Sequence, residues 1–385
     1  MKTFLGYIKY NSAIIVFIAL FIACVARNEK ENNTGSHESR EILIESRQKK
    51  TPKSEDIFKE LEYIQLETAD SALLSGDDGT GIKILFRNDQ IYYADYYTVH
   101  IFDNKGRFLR KINHHGDSPA DYALIGSFDV FKNGDILILS PSTRRILCYS
   151  CDDRFINQYT DDSPITDIAC LNDSLFVAKR DYINHEARFL FINRNSSRIA
   201  SQHTPVKLRK AGTSLGEAFT GYDGKLLLNE CQNNNIYEIT PSSLNLRYTI
   251  NIDNRIPPDG FWEQPERDPM SLFEECDQKG YIDNITFFSE SDNSILFYYR
   301  DLGSNHGGYT FVNKQSMEYI LFDEIELETG FTWKPDYMFA QSDGQVLIPV
   351  PADIILSLPK TSNLRKRFGN LKEDDNPIII IAKLK

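Results

Sequence analysis

The chain is poor in most residues that announce a chemistry at sight. Among 385 residues there are six cysteines, four methionines and two tryptophans. Cys148-Tyr149-Ser150-Cys151 is joined by no second Cys pair and no His pair at a zinc spacing, which excludes the familiar tetrahedral site. Positive charge is in deficit, with 43 Lys and Arg against 55 Asp and Glu and a net charge of −12. That balance argues against a nucleic-acid partner, which wants a basic face. Long amphipathic helical stretches are nearly absent as well. What the chain does have is 20 Tyr and 24 Phe, far more buriable surface than a disordered chain carries.

Near the start, Lys2 and Lys9 precede eleven uncharged apolar residues, 13–23. A membrane-spanning helix takes roughly 20, so this run reads as an export signal. It ends at Phe21-Ile22-Ala23-Cys24, which resembles the lipobox of bacterial lipoproteins, with Phe21 where Leu is usual. The resemblance makes Cys24 the acylated first residue of the mature chain. Residues 24–53 are polar apart from Ile42-Leu43-Ile44 and suit a tether, with the folded body expected over 54–385. Removing 1–23 deletes two lysines and no acid, so attachment to an anionic membrane would have to come from acyl chains.

Strand signals dominate the remainder. Ile91-Tyr92-Tyr93-Ala94, Ile136-Leu137-Ile138-Leu139 and Ile295-Leu296-Phe297-Tyr298-Tyr299 are apolar runs bounded by turn residues. Lys132-Asn133-Gly134-Asp135, Tyr222-Asp223-Gly224 and Ser342-Asp343-Gly344 tolerate positive φ and mark hairpins. Aligning the strand after each such turn places Phe102, Tyr149, Phe191, Tyr237, Phe311 and Leu356 at one position, with spacings of 47, 42, 46, 74 and 45. A four-stranded propeller blade needs about 40 to 50 residues. The reading is therefore an all-β, six-bladed β-propeller of antiparallel blades, with the long gap explained by an insertion at 254–280. Two terminal strands, around 62–66 and 378–382, are available to close the ring, one completing a blade begun at the other end.

Glu62-Tyr63-Ile64-Gln65-Leu66-Glu67-Thr68, Ile101-Phe102-Asp103 with Gly106-Arg107-Phe108, Gly116-Asp117-Ser118-Pro119-Ala120-Asp121-Tyr122 and Asn376-Pro377 carry a resemblance. Together they look like the six-bladed, NHL-repeat-like propeller lipoproteins of Bacteroides and relatives. The resemblance implies an outer-membrane lipoprotein, periplasmic or surface-exposed. The family's Gly-x-Gly-Pro-Gly-Glu-Tyr loop is altered here, with Ser118 and Ala120 for glycines and Asp121 for Glu.

Function is read from the positions that loops would expose. Trp262 and Trp333 lie in Pro-bearing segments and are candidates for stacking on a ligand, with Asp121 and His115 beside the altered loop. The leading expectation is a non-enzymatic, envelope-anchored module that binds a glycan, a peptide or a partner protein. The alternative is a metal-dependent hydrolase or lyase at the channel mouth, with Asp129, Asp167, Glu217 and Asn284 from four blades offering hard oxygen ligands to calcium. Cys148 and Cys151 sit in a strand leading into a hairpin, where the pKa-lowering helix of a redox motif is missing.

Overall fold

Alternation with a period of two decides this architecture. In the computed structural model, which describes residues 39–46, 49–74, 82–181, 187–203, 218–230, 232–264, 267–301, 307–328, 331–335 and 338–385, six four-stranded antiparallel sheets stand around an axis. The second strand of blade 1 shows the device: Ile91 and Tyr93 pack toward blade 6, while Tyr92 and Ala94 pack toward blade 2. In blade 2, Ile136 and Ile138 face blade 1 and Leu137 and Leu139 face blade 3. Each sheet thus hides both faces against its neighbours, and every seam around the ring has its own apolar core. Truncating one fully buried residue such as Ile138 to Ala would cost about 2 to 5 kcal/mol.

Blade 1 comprises Lys83–Arg87, Gln90–Ala94, Val99–Asp103 and Phe108–Ile112, innermost strand first. Blade 2 comprises Ser127–Val130, Ile136–Ser140, Arg145–Tyr149 and Phe155–Thr160, and blade 3 Ile165–Cys170, Leu175–Arg180, Phe189–Asn193 and Arg198–His203. Blade 4 runs Phe219–Tyr222, Lys225–Asn229, Asn235–Thr240 and Ser243–Ile252, and blade 5 Ile282–Glu290, Ser294–Asp301, Gly308–Asn313 and Tyr319–Phe322. Blade 6 takes Phe339–Ala340, Gln345–Val350 and Ile378–Leu384 from the C-terminal part, and its outermost strand, Phe58–Gln65, from the N-terminal part. Both expected terminal strands therefore lie side by side in one blade, which closes the ring.

Asn376 clasps that closure. Its Nδ2 donates to the carbonyls of Glu67 (2.8 Å) and Ala72 (2.9 Å), and its Oδ1 accepts from the amide of Leu74 (3.0 Å). Gly106 sits at the same seam with φ +80°, where a Cβ would lie 2.0 Å from the Gln65 carbonyl oxygen. Only glycine satisfies both demands.

Two expectations about boundaries are corrected. The compact body, Arg40–Lys385, begins before residue 54. Arg40–Ile44 pairs in parallel with Ser243–Ile252 as a fifth strand of blade 4, because Ile42 and Ile44 have a buried face to fill. From there the chain continues along blade 5, where the Lys50 amide donates to the Leu321 carbonyl (2.8 Å), and on to blade 6. Residues 40–46 and 49–65 thus reach three consecutive blades as a belt. The second correction concerns Leu356, which lies in a helix, Ala352–Ser357, and in no strand. The third strand of blade 6 is Ile378–Leu384, so the last spacing of the repeat alignment was coincidental; the other five aligned residues do all fall in third strands.

The gap between blades 4 and 5 contains the expected insertion, with a short 3-10 turn at Phe261–Glu263 and a helix at Pro269–Gln278. Asp268 caps that helix by accepting from the Ser271 amide (3.1 Å). A further hairpin, Ile325–Glu328 with Phe331–Trp333, separates blades 5 and 6. Among the described residues, no helix is long and apolar enough to cross a membrane.

Candidate functional site

Inner strands of a propeller crowd the axis, so their side chains are small or are held in place by hydrogen bonds. Here two carboxylates on neighbouring inner strands do the same job. Asp129 accepts from its own successor, the Val130 amide (2.8 Å), and from the Cys170 amide of blade 3 (2.7 Å). Asp167 accepts from the Ile168 amide (2.9 Å) and from the Ala218 amide at blade 4 (2.8 Å). Asn229 extends the pattern, its Nδ2 donating to the Ile285 carbonyl of blade 5 at 2.6 Å. Gln341 joins blade 6 to blade 1, donating to the Ile84 carbonyl (3.1 Å) and accepting from the Phe86 amide (3.0 Å). These polar groups stitch each blade to the next.

Above the stitches, at the end where the inner strands begin, the axis widens into a chamber of about 580 Å³. Its walls differ. Blades 1 to 3 supply Lys83, Ser127, Thr166 and Asp167; blades 4 to 6 add six aromatic rings, among them Phe219, Phe288 and Tyr309, beside the smaller polar Thr220, Asn229 and Thr286. On the polar side Ser127 Oγ donates to Asp167 Oδ1 (2.7 Å), while the buried Lys83 ammonium lies 3.5 Å from Ser127 Oγ and 4.0 Å from Asp167. The aromatic side is pre-packed, with Tyr298 and Tyr309 edge-to-face at 4.9 Å and Phe287 against Tyr309 at 6.0 Å. Burial, and then the nearby Asp323 carboxylate, push the Tyr298 hydroxyl above its ordinary pKa and keep it protonated. Asp323 at the rim is held in turn by Lys49 of the belt, at 2.8 and 2.9 Å.

The opposite end of the axis is pinched. Thr220 Oγ1 donates to the Gln341 carbonyl (3.2 Å), and the Asp223 amide donates to Asp343 Oδ1 (2.7 Å), so blades 4 and 6 touch there. Gly221 permits this approach, since a Cβ would lie 2.4 Å from Ser342 Oγ. A smaller chamber of about 210 Å³ lies on that side, and Lys83, Phe219, Thr220 and Ala340 border both spaces.

The candidates read from sequence fare unevenly. Cys24 and Glu217 lie outside the described residues. Asp129, Asp167 and Asn284 are all buried, but the two carboxylates spend their oxygens on backbone amides, and among the described residues no group of three His, Cys, Asp or Glu side chains could hold a metal. Both tryptophans, candidates for stacking on a ligand with Trp262 equally readable as packing of the insertion, are core. Trp262, 4% exposed, packs on Phe261 and Phe273 within the insertion, and Trp333, 7% exposed, joins the seam between blades 5 and 6. Pro-bearing segments of that length fold back and bring their own core, which is why loop position misled.

Asp121 is absorbed by its own turn. Hydrogen bonds from Ser118 hold its carboxyl below the usual range. The altered loop is a knot rather than a site: Tyr122 is fully buried and donates to the Tyr97 carbonyl (2.8 Å), and Tyr149 donates to the Ala120 carbonyl (2.6 Å). Within it, His114 stacks on Tyr149 and meets Asp153 at 2.8 Å. His115 remains exposed, its ring 4.6 Å from Tyr97. Cys148 is buried and Cys151 exposed, both as free thiols. Lys83 was overlooked, although a lone cation opening the apolar run Lys83-Ile84-Leu85-Phe86 is a signal that sequence does offer.

Residues 40–383 match the family described as "Domain of unknown function (DUF4934)". No curated protein matches the sequence. Among solved structures, a protein of Bacteroides fragilis NCTC 9343 described as exported is 17% identical with a TM-score of 0.74, over 90% of this chain and 100% of that one. A member of the DUF4221 family from Bacteroides vulgatus ATCC 8482 is 9% identical with a TM-score of 0.49, over 85% and 97% of the two chains. A streptogramin B lyase is 14% identical with a TM-score of 0.43, over 86% and 99%. At such identities the likeness concerns the fold alone. With a family match running from the first strand of the belt to the last strand of blade 6, this six-bladed β-propeller belongs to the DUF4934 family.

Proposed function

We propose that this chain is an exported, envelope-anchored binding module, lipidated at Cys24, that receives a glycan, a peptide or a protruding segment of an envelope protein in the chamber at the channel mouth. One observation carries the reading: a chamber of about 580 Å³ whose two walls are of opposite chemistry. Ligand sites typically span about 300 to 1,000 Å³ and combine apolar lining with a few fixed polar groups. A ligand tip with one ring-bearing or aliphatic face and one polar face would meet the Phe and Tyr wall and the Lys83, Ser127 and Asp167 wall together. The B. fragilis relative's description as exported supports the address, as does the short apolar run ahead of Cys24. Ser127 does meet the Asp167 carboxylate, but that carboxylate is engaged by the Ile168 and Ala218 amides in joining blade 3 to blade 4, which favours a positioning role over that of a general base.

Thr286→Trp tests the reading. Thr286 is half-buried on the chamber wall, so an indole there fills space without removing a stitch. Peptides and glycans that raise the melting temperature of the wild-type protein should lose that effect in Thr286→Trp, and Lys83→Met should weaken those with an acceptor on the polar face. Undiminished stabilisation of Thr286→Trp by the same compounds would place binding elsewhere.

A further inference from the structure

A second concavity lies at the same end of the propeller, beside blade 4. It has a volume of about 390 Å³ and runs between the turn that joins the second and third strands of that blade and the 254–280 insertion. One wall is made of four successive amides, Gln232-Asn233-Asn234-Asn235. The other is made of Pro257, Pro258, Phe261 and Trp262. Tyr237 lies along the groove with its hydroxyl held by Asn233 Nδ2 (3.4 Å) and Asn235 Nδ2 (3.1 Å), which fixes the ring in place.

Charge narrows the occupant. The lining includes Glu230, Asp259 and Glu263 and no Lys, Arg or His, which disfavours phosphates, uronates and other anions. Glu230 is already neutralised by Arg188, at 2.8 Å, so the groove does not depend on an incoming cation for its balance. Most telling is Asn234. The residue is 6% exposed, and its Nδ2 finds no acceptor among the described residues. A buried donor without a partner is disfavoured unless something outside the protein supplies an acceptor. Side-chain amides donate and accept at fixed spacing, as paired hydroxyls do, and the half-buried Tyr237 ring with Pro257 and Pro258 suits the C–H faces of a sugar ring, while Phe261 and Trp262 back that wall from the core.

We propose that this groove binds a neutral saccharide, with Asn234 donating to a ring hydroxyl. This site goes beyond the chamber reading and does not depend on it. The test is calorimetric titration of the full-length protein in detergent with maltohexaose, xylohexaose and mannohexaose, beside oligogalacturonate and hexalysine. At least one neutral hexasaccharide should bind. Asn234→Leu should weaken it about tenfold, the equivalent of one hydrogen bond, while leaving the melting temperature unchanged or higher because the lost donor had no internal partner. Should Asn234→Leu fail to fold, Asn233→Ala reports on the same wall and should also weaken binding. Thr286→Trp should bind the sugar normally, which separates this groove from the chamber. Binding of none of the three hexasaccharides, preference for oligogalacturonate or hexalysine, or an unchanged affinity in Asn234→Leu would each overturn the assignment.

Discussion

Replacing Asn376 with Ala should unlatch the ring at a single place. The substitution removes two donors and one acceptor, stranding the carbonyls of Glu67 and Ala72 and the amide of Leu74. Each stranded buried group costs about 1 to 3 kcal/mol, and because Glu67 is exposed and Leu74 half-buried, water will reach two of the three. A total of about 3 kcal/mol follows. Melting entropy is about 2 cal/mol/K per residue, or ~0.7 kcal/mol/K for a body of this size, so the melting temperature should fall by about 4 °C. Calorimetry measures the drop, and hydrogen exchange locates it: protection should be lost at Leu74 and along Phe58–Gln65, with the blade 2 to blade 4 strands unchanged. Asn376→Asp, which keeps the acceptor but not the donors, should fall between. A melting temperature within about 1 °C of wild type, or exchange that rises uniformly around the ring, would refute the idea that this side chain is the closure clasp.

Three other outcomes are expected. Glu290 is fully buried, which pushes its pKa up, yet hydrogen bonds from Arg247, Lys314 and Tyr248 outweigh burial and hold it below its ordinary value. Its stabilisation is present above the unfolded pKa of about 4.3 and is lost as pH falls through the lower folded value. Glu290→Gln should therefore cost about 3 to 5 kcal/mol at neutral pH and flatten part of the acid limb of a melting-temperature profile; an unaltered acid limb would contradict this. Burial pushes the Cys148 thiol up to about 12, so iodoacetamide should label the exposed Cys151 in the native protein and reach Cys148 only after unfolding. Mass spectrometry showing native labelling at Cys148 would count against the packing of blades 2 and 3. Because Asp129 and Asp167 already accept from backbone amides, millimolar calcium should leave the melting temperature unchanged, and a rise of several degrees would return the metal-dependent reading to the front.

Blade count was legible because an apolar third strand recurs at a nearly constant spacing wherever a blade is regular, whereas turns such as Asn133-Gly134 and Asp223-Gly224 join first strands to second ones. Phe102, Tyr149, Phe191, Tyr237 and Phe311 all occupy such strands. The signal failed in blade 6, where residues 351–377 interrupt the second and third strands with two helices of six and five residues, too short to show a 3.6-residue period. Asp-Ile-Ile-Leu-Ser there mimics a strand in composition. The chamber was only partly legible. Asp129 and Asp167 stood out as inner-strand carboxylates, but nothing local distinguishes a carboxylate that binds a ligand from one that caps a neighbouring blade's amide. That distinction rests on contacts 41 and 51 residues apart. The tryptophans misled for a related reason: whether an irregular segment is surface or core depends on what it folds against.

The additions to the basic ring are not spread evenly, and their placement bears on where function resides. Blades 1 to 3 are plain four-stranded sheets, whereas blade 4 gains the parallel strand Arg40–Ile44, the insertion follows it, and the hairpin Ile325–Glu328 with Phe331–Trp333 follows blade 5. The same blades 4 to 6 supply the aromatic wall of the chamber, and blade 4 with the insertion supplies the amide groove. Phe219, Phe288 and Phe339 border the chamber while staying buried in the seams between blades 3 and 4, 4 and 5, and 6 and 1, so the chamber wall and the ring share the same side chains. Lys49 makes the link concrete, since a belt residue fixes Asp323 at the chamber rim. Lys49→Ala should then disturb the chamber rim more than the ring, weakening chamber ligands while the exchange protection of blades 1 to 3 stays as it is; equal loss in both would mean that the belt serves stability alone.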